Sequence, residues 1–196
     1  MSRGRWRRLG ERAGVAVEFA LTFPLLLLLT AGTMEVGLVL MTDASLELAA
    51  HDSARYGTAS SLLATATRTQ AIDTIVHSYL DRWARTPADI AIDTRSYTSF
   101  ANVGQPEPVD STLHPDGTCT KGCVACTGSA LTGSCDYIDV NGNGVWDADM
   151  GVSGVGGSGD ITVYTITLTR PGFTGILRLA GISTLTFSRS VVVQNE

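Results

Sequence analysis

The stretch that decides the fold is GVAVEFALTFPLLLLLTAGTMEVGLVLM, which runs from Gly14 to Met41. It is long enough to cross a bilayer, because about 20 apolar residues span the hydrocarbon as an α-helix. No charged residue lies between Phe19 and Met34, but an acid stands at each end of this run, Glu18 and Glu35. An ionised carboxylate in hydrocarbon costs roughly 2 to 3 kcal/mol or more. Both acids therefore need an explanation.

The two acids are expected near opposite boundaries of the membrane, since the uncharged run rises about 24 Å as a helix. Interfacial carboxylates that reach headgroups or water would explain both positions without any function, and this is the favoured interpretation of Glu35. The position of Glu18 has a second interpretation. If the chain is cut just before Gly14, a new α-amino group appears that the Glu18 carboxylate of a neighbouring subunit could neutralise. Such an ion pair would fix the axial register of packed helices.

Charge predicts the orientation of the span. Residues 1–13 carry five arginines against Glu11, a net charge of +4. Because the whole 196-residue chain has a net charge of −5, the rest of it carries −9. Arginines beside an apolar segment stay cytoplasmic, which predicts that everything after Met41 is exported. The run is too long for a secretory signal core of about 7 to 15 residues. Nucleic-acid binding is not expected, because the acidic exported part would repel phosphate.

The sequence resembles the TadE-like family of pseudopilins in several short motifs. These are AVEFAL at residues 16–21, the Pro24 to Leu29 run, GTMEVG at 32–37 and an Ala-Arg-Tyr at 54–56, with a similar tail, VVVQNE. The resemblance covers roughly residues 10–57. It implies a single-pass protein of the bacterial inner membrane that acts as a minor component of the tight-adherence (Tad/Flp) branch of type IV pilus machinery. The implied partners are the lipid bilayer, other pilins and pseudopilins, and the Tad inner-membrane platform.

The same resemblance implies processing by a prepilin peptidase at Ala13 and Gly14, with Glu18 and Phe19 setting the assembly register. This sequence departs from the usual pattern, which has Gly before the cut and Glu fifth after it. A cut that makes Glu18 fifth leaves Ala13 before it, whereas a cut after Gly14 makes Glu18 fourth.

Periodicity beyond Met41 predicts an α+β domain. Leu46, Ala49, Ala50, Ser53 and Tyr56 continue the helix, and a second helix ending at Pro87 places apolar residues at 72, 75, 76, 79, 80 and 83 on one face. Strands are expected at 89–97, 160–169 and 185–193. FTGILRLAGI, at 173–182, is either a short helix or a wide turn. We expect a leader at 1–13, a transmembrane helix at 14–41 and a pilin-like domain at 42–196, with a small antiparallel sheet and an insertion at 102–159.

The insertion contains four cysteines, Cys119, Cys123, Cys126 and Cys135. In the oxidising compartment that the orientation predicts, two disulfides are favoured over a zinc site or redox-active thiols. Four cysteines allow three pairings, and the sequence does not choose among them.

The sharpest chemical motif is DYIDVNGNGVWDADMG, from residue 136 to 151. Its spacing matches the oxygen donors of a calcium-binding loop. The expected Ca²⁺ ligands are Asp139, Asn141, Asn143, the Val145 carbonyl, Asp147 and Asp149. Met150 stands where such loops carry a bidentate carboxylate, for which Asp149 or Asp136 is expected to substitute. The alternative is a pair of Asn-Gly turns with solvated acids. A calcium ion here would order the loop and have no catalytic role.

Two functions follow. The first is a structural minor pseudopilin, or an assembly factor, of a tight-adherence pilus. The second is a stably anchored extracytoplasmic calcium-binding adhesin or receptor. An enzyme is not expected, because the three histidines are scattered and no nucleophile, base and orienting group can be assembled from the sequence.

Overall fold

A computed structural model describes residues 3–59, 65–108, 138–143 and 146–195. Its main elements are helices α1 (Arg3–Ala59) and α2 (Thr65–Leu80), and strands β1 (Ile90–Tyr97), β2 (Val152–Ser153), β3 (Ile161–Arg170) and β4 (Leu185–Gln194). Short 3-10 turns occupy Pro87–Asp89, Phe100–Asn102 and Ile176–Ala180. The described residues do not include the four cysteines or Val145, so the disulfide prediction and one predicted calcium ligand fall outside them.

Helix α1 is one continuous element of 57 residues that contains Pro24. It ends at Ala59, two residues beyond Gly57. Hydroxyls inside the apolar run bond to the helix itself: Thr30 donates to the Leu26 carbonyl at 3.0 Å and Thr33 to the Leu29 carbonyl at 2.9 Å. These hydroxyls are thereby satisfied without water.

The sheet is antiparallel throughout, with the strand order β2-β1-β3-β4. Strand β3, which lies between β1 and β4, buries Tyr164, Ile166 and Leu168 completely, on one face. Helices α1 and α2 cover this face, because Leu46, Ala49 and Ala50 join the same core. The predicted α+β class, with a long N-terminal helix and a small antiparallel sheet, is confirmed.

Helix α2 presents the predicted apolar face, with Ile72, Val76 and Leu80 buried. It ends at Leu80, however, and not at Pro87 as predicted. The chain turns there because Trp83 and Ala84 both donate their amides to the Leu80 carbonyl, at 2.8 and 3.0 Å. Pro87 instead begins the 3-10 turn that leads into β1.

The glycine-rich segment GVSGVGGSG, residues 151–159, has the composition of a linker, but it is part of the packed domain. Residues 152 and 153 pair with β1, and Val155 is fully buried. The buried Arg68 guanidinium donates to the carbonyls of Val155 and Gly156, at 3.3 and 3.0 Å, and to the Asn195 side-chain oxygen at 3.2 Å. Arg68 thus joins α2, the glycine segment and the C-terminal end of the domain.

Candidate functional site

The lower part of α1, residues 15–34, is an apolar helix that the domain leaves uncovered. Its most apolar stretch of 18 residues has a mean hydropathy of 2.0, and no residue of that stretch is buried. Leu25, Leu26, Leu27 and Leu28 are 44 to 71% exposed although, as consecutive residues, they lie on different sides of the helix. It is the one helix within the described ranges that is long and apolar enough to cross a membrane. This surface needs lipid or other helices to cover it.

Glu18 and Phe19 lie on this uncovered part. Phe19 is 61% exposed and stacks on Phe23, with ring centroids 5.1 Å apart. Among the side chains from residue 14 onward that the structure describes, none forms a hydrogen bond or ion pair with the Glu18 carboxylate; its backbone carbonyl accepts from the Thr22 hydroxyl at 2.9 Å. The side chain is therefore available to a neighbouring molecule, and its predicted register role stays a prediction.

The predicted cleavage junction of Ala13 and Gly14 lies within α1, which begins ten residues earlier at Arg3. A methyl group added at Gly14 would meet no atom within 4 Å. The fold thus places no steric demand on a glycine at this position, and processing here stays a prediction.

Glu35 is where α1 is first attached to the domain. Its side chain is only 2% exposed. The carboxylate accepts hydrogen bonds from the Phe173 amide at 2.8 Å, the Thr174 amide at 2.6 Å and the Thr174 hydroxyl at 2.7 Å. The favoured expectation, an interfacial carboxylate turned to headgroups or water, is wrong for this side chain. It is paired because the chain between β3 and β4 returns to α1 at this height.

Arg170 and two aromatic rings complete this attachment. The Arg170 guanidinium lies 3.4 Å from the centroid of the Phe173 ring and donates to the Trp83 carbonyl. The Trp83 indole meets Phe173 edge to face at 6.0 Å and donates to the Ser45 hydroxyl at 2.9 Å. Burial lowers the pKa of Arg170 while the nearby Glu35 carboxylate opposes that shift. The turn after α2 and the turn after β3 are therefore both anchored to α1.

The acidic glycine loop is organised by a residue that the sequence analysis did not single out, Glu107. Its carboxylate is 2% exposed and accepts from the amides of Val140 at 2.8 Å and Asp147 at 3.0 Å. The Trp146 indole donates to the Glu107 carbonyl at 2.8 Å, which fixes the loop to the preceding segment. Glu107 lies in a proline-flanked stretch, QPEP, whose only sequence signal is that of a loop.

The predicted calcium ligands lie close in the chain but are largely engaged with one another. The Asp147 carboxylate accepts from the side-chain amides of Asn141 and Asn143, at 2.6 and 2.5 Å. Asp139 accepts from the amide of Gly142 at 2.6 Å. Asp149 turns to β1, where it pairs with Arg95 at 3.1 Å.

Within the described parts of the chain, no three or more His, Cys, Asp or Glu side chains form a group that could hold a metal ion. The calcium site stays a prediction.

Comparison with known protein families finds a match within α1. Residues 14–55 match the family of TadE-like proteins. The resemblance predicted from the sequence is confirmed over these residues. Neither the curated proteins nor the solved structures contain a significant match to the chain.

The TadE-like segment contains both parts of α1, the bare apolar run and the portion packed on the domain, and it includes Glu18 and Glu35. A TadE-like family match indicates a component associated with the Tad pilus system, and such components are typically structural. Together with the one helix in the described ranges that could cross a membrane, it indicates a single-pass membrane protein.

Proposed function

We propose that this chain is a TadE-like minor pseudopilin, a structural component or assembly factor of a tight-adherence pilus. It inserts in the bacterial inner membrane with its N-terminus cytoplasmic and its domain on the outer side, and it is released from its leader by a prepilin peptidase. One observation supports this most directly: α1 leaves residues 15–34 bare while residues 35–59 hold the domain. A helix built in this way can exchange lipid contacts for contacts with other pilins or with the Tad platform.

Glu18 gives this packing its register in the proposal. Its exposed carboxylate sits five residues from the Ala13–Gly14 junction, close enough to meet the new α-amino group of an adjacent copy in low dielectric. The cysteine region and the acidic loop are proposed to stiffen the exposed part of the domain, through two disulfides and a structural calcium ion.

The test follows the fate of the chain in cells that assemble the pilus. N-terminal sequencing of the mature protein should begin at Gly14 or Val15, and the protein should be recovered with sheared fibres or with the assembly platform. An intact Met1, together with recovery from membranes alone, would contradict the pilus role and favour an anchored receptor.

Glu18→Ala should enter the membrane as the unsubstituted chain does, because removing a carboxylate favours insertion. It should nevertheless be depleted from fibre and platform fractions. Glu47→Ala is the matched control, since it removes an exposed acid from the same helix above the apolar run. If Glu18→Ala is incorporated as well as Glu47→Ala, the register role is wrong.

A further inference from the structure

The connection between β3 and β4, residues 171–184, lies at the end of the domain nearest the apolar run. We call it the lower turn. Glu35 holds it against α1 through the Phe173 and Thr174 amides. Its 3-10 segment, Ile176–Ala180, also packs beside α1. The turn after α2 joins it through the ring contact of Trp83 with Phe173.

The height of the lower turn along α1 is set by Glu35. The bare run of residues 15–34 rises about 30 Å as a helix, which equals the roughly 30 Å thickness of bilayer hydrocarbon. When that run spans the membrane, Glu35 lies at the outer boundary. The lower turn, which is bonded to Glu35, then lies at the lipid headgroups.

The exposed surface here has the composition of a lipid-contacting one. Leu179 is 79% exposed and Ile182 is 43% exposed, and Arg178 beside them is also exposed. Two further exposed arginines, Arg82 and Arg85, lie in the neighbouring turn. Apolar side chains flanked by arginines are typical of segments that rest in a membrane interface.

Of the acids at this end, Asp81 is exposed and pairs with His77 at 2.7 Å, whereas Asp89 and Glu35 are engaged by backbone amides. Asp89 accepts from the backbone amides of Arg85 and Thr86, at 2.8 and 3.1 Å, and Glu35 accepts from the lower turn. Arginines thus dominate the exposed charge around the lower turn, although the chain after residue 13 is acidic overall. This local charge complements the phosphates of a bilayer.

We propose that the lower turn is a membrane-docking surface, with Leu179 and Ile182 inserted at the boundary of headgroups and acyl chains and the arginines on lipid phosphates. Insertion at that boundary reaches about 5–10 Å. The domain is then held on the outer leaflet at two points, the helix and the lower turn. This inference rests on the proposed membrane insertion of α1.

The experiment uses the full chain in vesicles of phosphatidylcholine and phosphatidylglycerol, with bromine on the acyl chains either near the headgroups or deep in the bilayer. Tryptophan is introduced as Leu179→Trp, and its emission is taken as the difference from the unsubstituted chain. Leu48→Trp is the matched control, because Leu48 is 55% exposed and lies about 20 Å beyond Glu35 along α1. Leu27→Trp, within the apolar run, reports whether the helix has inserted.

Leu179→Trp should show a blue-shifted emission that shallow bromines quench more than deep ones, while Leu48→Trp should remain unquenched. If Leu27→Trp is quenched but Leu179→Trp is no more quenched than Leu48→Trp, the docking surface is wrong and the insertion stands. If Leu27→Trp is itself unquenched, both are wrong. A blue shift at position 179 without quenching, which grows with the ratio of protein to lipid, would assign the surface to a second copy and overturn the lipid assignment.

Discussion

The strongest test of the architecture is the removal of the Glu35 carboxylate. Glu35→Ala deletes the acceptor of three hydrogen bonds from the lower turn, two from backbone amides and one from the Thr174 hydroxyl. Each bond to a charged acceptor contributes about 1.5–3 kcal/mol. Thr174 is exposed, so water can replace the acceptor for its two donors. The expected loss is therefore about 2–4 kcal/mol, below the sum of the three bonds.

That loss can be read as a thermal shift of the domain. For a domain of about 150 residues, 1 kcal/mol corresponds to about 2–4 °C, so the midpoint should fall by roughly 4–16 °C. Thermal unfolding of the full chain in detergent micelles, followed by near-UV circular dichroism, measures it. Glu35→Gln should be nearly as destabilising, because its side-chain NH2 group cannot accept a hydrogen bond and would face a donor of the lower turn.

Glu47→Ala is the matched control for this experiment. The Glu47 side chain is 49% exposed and pairs with Arg189 at the surface, where solvent weakens the ion pair. Its midpoint should stay close to that of the unsubstituted chain. If Glu35→Ala and Glu47→Ala unfold at the same temperature, the lower turn is not held by Glu35, and the height assigned to it is wrong.

Three further predictions concern the domain. Burial and a hydrogen bond to the Asp149 carboxylate raise the pKa of Tyr97 to about 12. Its neutral form therefore stabilises the fold fully below the unfolded pKa of about 10, and that contribution is lost between about pH 10 and 12. Melting curves of Tyr97→Phe at alkaline pH should lack this loss of stability, and an unchanged loss would contradict the prediction. Gly57→Ala places a methyl group against the Tyr164 hydroxyl and should lower the free energy of unfolding, measured in urea, by about 1–3 kcal/mol. Gly37→Ala, which has open space around the added methyl group, should be near neutral, and equal effects of the two substitutions would refute the clash. Asp139→Ala should lower the thermal midpoint only when calcium is present, and identical midpoints of the unsubstituted chain in calcium and in chelator would remove the calcium site.

The helices and strands could be predicted because each has a repeating apolar pattern. The buried residues of α2 recur every four positions, Ile72, Val76 and Leu80, and those of β3 alternate, so each pattern fixes both the element and its inner face. The end of α2 could not be predicted because it is made by backbone amides that bond to the Leu80 carbonyl, and any residue except proline can donate such a bond.

The attachments between distant segments could not be predicted, for a different reason. Glu35 and Thr174 are 139 positions apart, and Glu107 binds amides more than 30 positions away. Their partners are mostly backbone N–H groups, which every residue but proline carries and which leave no sequence signal. Arg68 likewise binds carbonyls of the glycine segment, and that segment reads as a linker because its role depends on its backbone.

The buried Glu35 also constrains how Glu18 can act. The two residues are 17 positions apart on one continuous helix, which places Glu18 about 25 Å below Glu35 and about 100° around the helix axis from it. Because Glu35 faces the domain, Glu18 faces sideways relative to the domain and not behind it. A neighbouring subunit that pairs with Glu18 must therefore approach beside the domain, where its own domain can pack in the same direction. Because Glu35 fixes the domain to α1, the Glu18 carboxylate has a defined direction relative to the domain. A register contact between subunits requires such a direction.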